Sequence, residues 1–82
     1  MSGRTPILVP HSGVVESVIL VEWLHESGAR VEEGEEVVIV ESEKAETAIE
    51  APAGGTLEIL IRADPNDDVE VDVGTIIGHI VA

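Results

Sequence analysis

The chain lacks cysteine, phenylalanine and tyrosine altogether, and its 82 residues include one tryptophan, one lysine and one methionine. Without cysteine there are no disulfides, no thiolate nucleophile and no thiolate metal ligands, so any sulfur chemistry must be carried by a bound group. Hydrophobic residues make up 44% of the chain but aromatics only 1%, namely Trp23. The core must therefore be built from Val, Ile, Leu and Ala, and so many β-branched side chains favour strands. Cations are scarce as well: Lys44, Arg4, Arg30 and Arg62 stand against 17 acids, for a net charge of −13. Such a surface repels nucleic acid and anionic membranes, and neither is expected as a partner. No apolar run approaches the ~20 residues of a membrane span, and Met1 to Thr5 lacks the apolar core of a signal peptide. A soluble intracellular protein is the expectation.

What is present is a small domain with many turns. A chain this short buries roughly 60% of its unfolded surface, and eight glycines and four prolines break it often. The segment Val31-Glu32-Glu33-Gly34 through Val40 repeats as Val71-Asp72-Val73-Gly74 through Ile80 at a constant offset of forty. Each copy follows an apolar run, Val18 to Leu24 in the first half and Leu57 to Ile61 in the second. No amphipathic helix separates the halves. Short strands with regular turns predict an all-β fold, a flattened barrel or sandwich with quasi-two-fold symmetry. Residues 1–82 are read as one domain, with 1–5 as a flexible N-terminal tail.

Lys44 is the sole lysine. Val37 to Val40 reads as a strand before it, and Thr47 to Ala51 as another after it, so a tight turn presenting the amine is expected. Glu41, Glu43 and Glu46 surround it in sequence. Carboxylates and water both favour the charged ammonium, so Lys44 is a poor Schiff-base or general-base catalyst. A separate enzyme could still acylate it. The bland reading is a surface lysine paired weakly with its neighbours, worth roughly 0–1 kcal/mol. Its uniqueness and its place at the join of the two repeats favour covalent attachment.

Glu41-Ser42-Glu43-Lys44-Ala45 resembles the E-T-D-K-A motif of lipoyl domains, the swinging-arm carriers of 2-oxo acid dehydrogenase complexes. Trp23-Leu24 with Gly28 is similar to the family's W-L-x-x-x-G. Val31 with Gly34 and Val71 with Gly74 match its two V-x-x-G elements, and Ala51-Pro52-Ala53-Gly54-Gly55 its S-P-x-A-G. The likeness runs from about Pro10 to Val81. It implies two four-stranded antiparallel sheets and lipoate in amide linkage on Lys44, with Glu41, Ser42, Glu43 and Ala45 as the attachment motif. The related biotinyl domains set their lysine in M-K-M; here Glu43 and Ala45 hold those positions, and Met1 is the only methionine. A biotin carboxyl carrier and an unmodified β-barrel binding module are the alternatives.

The resemblance also implies partners: a lipoate-protein ligase or lipoyl transferase, a thiamine-diphosphate-dependent 2-oxo acid decarboxylase, and dihydrolipoamide dehydrogenase. The domain itself is expected to be a non-catalytic monomer, part of a dihydrolipoamide acyltransferase, in bacterial cytoplasm or the mitochondrial matrix. Three departures stand out. The loop Pro10 to Glu16, which in the family lies beside the lysine turn, lacks the usual acidic-glycine pair. Asp64-Pro65-Asn66-Asp67-Asp68 replaces a shorter glycine turn, feasible because Asn and Asp tolerate left-handed backbone. Ala48 stands where an acid is common. The acidic turn lacks a calcium loop's glycine at Val69 and its glutamate at Thr75. His11, His25 and His79 show no ligand spacing, though His11 could lie near the lysine turn.

Overall fold

The structure, a computed structural model, describes residues 3–11, 16–43 and 45–82. Eight strands follow one another: β1 (Arg4–Leu8), β2 (Ser17–Trp23), β3 (Arg30–Val31), β4 (Glu36–Glu41), β5 (Glu46–Glu50), β6 (Gly55–Ile59), β7 (Val69–Asp72) and β8 (Ile76–Val81). They form two four-stranded antiparallel sheets, in the orders β1-β8-β6-β3 and β5-β4-β2-β7. Both sheets end in edge strands, so of the two forms expected the open sandwich is the one found. Strand structure also reaches further toward the N-terminus than expected. Arg4 and Thr5, assigned to a tail, pair with Val81 and Ile80 as the start of β1. Pro6 disguises this strand, because proline within a strand is confined to edges, and β1 is an edge.

Alternation builds the core. Val18 and Leu20 of β2, Val38 and Val40 of β4, and Val71 of β7 turn inward on one sheet. Ile7, Leu57, Ile77 and Ile80 meet them from the other. Among the described residues no polar or charged residue is buried as a whole; the one buried side-chain polar atom without a hydrogen bond is His79 Nδ1, which lies 3.4 Å from the Glu58 carboxylate, so the interior itself desolvates few polar groups. Trp23 packs on this core from the side and donates its indole NH to the carbonyl of Ile61 at 2.9 Å, which satisfies the polar atom of an otherwise apolar ring.

The forty-residue repeat is a structural repeat. Strand for strand, β5-β4-β2-β7 corresponds to β1-β8-β6-β3. Gly34 and Gly74 turn with φ of 87° and 86°. The Gly34 amide donates to Ala51 at 2.9 Å and that of Gly74 to Val9 at 2.8 Å, while Leu24 donates to Val37 at 2.8 Å and Leu60 to Ile77 at 3.0 Å. The long acidic turn differs from the expectation in one respect. Asn66 N donates to Asp64 Oδ1 at 2.9 Å and Asp64 bridges to Asp67, yet no non-glycine residue among those described has positive φ. An Asx turn closes it without left-handed backbone.

Candidate functional site

The connection between β4 and β5 is the candidate site. Antiparallel pairing of the two strands runs out to Glu41 opposite Glu46. Beyond that pair the Ser42 amide donates to the Ala45 carbonyl at 2.9 Å, and the Ser42 hydroxyl reaches the same oxygen at 3.3 Å. Four residues thus reverse the chain, as the sequence predicts for a tight hairpin. Lys44 lies outside the described residues; the residues on either side of it are described. Glu41, Glu43, Ala45 and Glu46 are exposed, and Ser42 is half-buried.

Rigidity of this frame comes from below. Val38 and Val40 of β4 are buried, and Ile49 of β5 is packed opposite Val38. The turn is therefore the end of a hairpin anchored in the core, in a sheet where β4 is flanked on both sides. Among the described residues no set of three His, Asp or Glu side chains could hold a metal ion.

The structure brings together Glu41 with Glu46 and Ser42 with Ala45. The part of Ser42 as a double hydrogen-bond donor within the turn was not anticipated from sequence, although serine before an exposed turn is a signal for it. The loop expected beside the lysine turn falls mostly at 12–15, outside the described residues. His11 is exposed, His25 is paired with Glu35 at 2.9 Å, and His79 approaches Glu58 at 3.4 Å. A groove of about 490 Å³ runs past Val21, Trp23, Leu24, Ile59, Arg62 and Pro65. No described residue of the β4–β5 connection lines it.

A family model described as "Biotin-requiring enzyme", for the biotin/lipoyl attachment domain, matches residues 5–80. No curated protein matches the chain. The match runs from the second residue of β1 to nearly the end of β8, and it takes in the β4–β5 connection, in whose sequence the single lysine falls. With this extent of agreement the chain belongs to the biotin/lipoyl attachment family, whose domains are non-catalytic carriers bearing lipoate or biotin covalently on a lysine.

Proposed function

We propose that the chain is a lipoyl carrier domain, with lipoate joined through an amide to Lys44. The observation that carries this reading is the setting of that lysine: it is the only one in the chain, in a four-residue connection closed from Ser42 to Ala45. Glu43 before it and Ala45 after it replace the methionines of a biotinyl site, which favours lipoate over biotin. Both neighbours are exposed.

Lipoate, when attached, supplies a cyclic disulfide that takes up an acyl group with two electrons and gives both up again. The chain's own residues do something simpler. The β4–β5 hairpin holds the attachment point at one end of a rigid sandwich. Glu41, Glu43 and Glu46 are exposed and keep the turn hydrated. Tethering raises the effective concentration of the arm at each active site it visits. We assign those sites to a thiamine-diphosphate-dependent 2-oxo acid decarboxylase, an acyltransferase to which this domain is joined, and a dihydrolipoamide dehydrogenase.

The test is the intact mass after incubation with a lipoate ligase, lipoate and ATP, beside Lys44→Arg. A gain of one lipoyl group by the wild type and none by the variant is the expected result. Failure of the wild type with a ligase active on another lipoyl domain, together with gain of biotin from a biotin ligase, would reassign the arm.

A further inference from the structure

The two sheets divide the charge of the protein unequally. Strands β2, β4, β5 and β7 carry seven carboxylates, Glu22, Glu36, Glu41, Glu46, Glu50, Glu70 and Asp72, and no lysine, arginine or histidine. Strands β1, β3, β6 and β8 carry Arg4, Arg30 and His79 against one carboxylate, Glu58. Arg4 and His79 both approach that carboxylate, at 3.6 and 3.4 Å. All seven acids of the first sheet are exposed, because the alternate positions point into the core. They share the outer side of one sheet.

That side is not uniformly polar. Ile19, Ile39 and Ala48 are half-buried and lie on it together. Ile39 stands between Glu22 and Ala48, and Ile19 is opposite Glu41, one diagonal step from Ile39. A sheet solvated on one face ordinarily sets polar residues there. An apolar centre within a charged rim is instead the anatomy of a protein interface. The rim is also set against itself: Glu36 is directly opposite Glu50, and Glu41 opposite Glu46, arrangements that destabilise a sheet unless a cation relieves them. Finally, the Glu41–Glu46 pair is the rung that carries the β4–β5 connection, so the face is continuous with the site of attachment.

We propose that the outer face of the β5-β4-β2-β7 sheet is where the enzyme that acylates Lys44 docks, through a cationic surface that also covers Ile19 and Ile39. An attaching enzyme must bring its active site to this connection, and every charge that the four strands of this sheet carry is negative. A second copy of the chain would set carboxylates against carboxylates. The inference rests on the family's modification of a lysine and holds for either arm.

The experiment compares initial rates of modification at low and high salt, using purified lipoate ligase, or biotin ligase if the wild type takes biotin. One variant neutralises the face away from the attachment motif (Glu22→Gln, Glu36→Gln, Glu70→Gln). Its control removes the same charge elsewhere (Glu26→Gln, Glu33→Gln, Asp68→Asn). Loss of about tenfold in kcat/KM at low salt for the face variant alone, with kcat unchanged and the difference vanishing at high salt, is expected of a steered encounter. Equal losses in both variants, or no loss in either, would overturn the docking face while leaving the carrier reading intact. A wild type that accepts neither arm would overturn both.

Discussion

The amide of Ser42 donates to the carbonyl of Ala45 at 2.9 Å, and at the quasi-equivalent place in the other sheet the amide of Ala82 donates to the carbonyl of Gly3 at the same distance. In one sheet this bond closes a covalent hairpin around Lys44; in the other it joins the two ends of the described chain. The β4–β5 turn is thus one of two matched closures of a duplicated scaffold.

Removing the Ser42 donor should loosen the frame without unfolding the domain. Ser42→Pro deletes the amide and leaves the exposed Ala45 carbonyl to water, at a cost of about 1 kcal/mol. Its effect on modification should be larger, because the ligase then meets a lysine in a mobile turn: kcat/KM is expected to fall by about tenfold, in line with the cost of misplaced reacting groups. Ser42→Ala keeps the amide and should stay within about 0.5 kcal/mol of the wild type. Urea denaturation and ligase kinetics on the same samples check both. A proline variant modified at the wild-type rate would show that the turn's closure is irrelevant to the enzyme.

Glycines should divide into two groups by the reason each is needed. A Cβ at Gly34 or Gly74 would meet nothing within 4 Å, so alanine there costs only the left-handed backbone, about 1–2 kcal/mol. At Gly55 a Cβ would lie 2.4 Å from the carbonyl oxygen of Val81, and at Gly78 2.7 Å from that of Glu58 and 3.2 Å from the Trp23 ring. Backbone stands in the way at both, and alanine should cost about 3 kcal/mol or more, the upper end for adding a methyl to filled space. Denaturant midpoints of the four alanine variants test this, with Trp23 fluorescence as the reporter of unfolding.

These glycines also show what was legible in the sequence. The V-x-x-G repeats announce Gly34 and Gly74 as turn residues, because their need is local and recurs with the forty-residue period. Gly78 gives no such signal: its need comes from Trp23 and from β6, elements remote in sequence. The four central strands and the hairpin around Lys44 are readable from apolar runs and their spacing. Strand β1 is not, since Pro6 interrupts its pattern and its partner β8 lies at the far end of the chain. The uneven charge was hidden for a related reason. Acids run from Glu16 to Asp72 with their densest clusters at 32–36 and 64–72, and only the strand order gathers seven of them on one sheet.

Matched closures make the chain a candidate for circular permutation. Arg4 pairs with Val81 just as Glu46 pairs with Glu41, so a short link from Ala82 to Gly3 should complete a second hairpin without disturbing the ladder. New ends can be opened between Pro65 and Asn66, in an exposed turn whose loss touches no core residue. The permutant should fold, keep the Trp23 fluorescence of the native domain, and accept one acyl group at Lys44 at a rate within about twofold of the original, because the β4–β5 frame is untouched. Linking should also reduce fraying at β1, which then has no free end, and hydrogen exchange at Thr5 and Ile7 should slow. A permutant that folds but shows exchange at those amides faster than the parent would mean that the terminal bond is not a true counterpart of the turn closure.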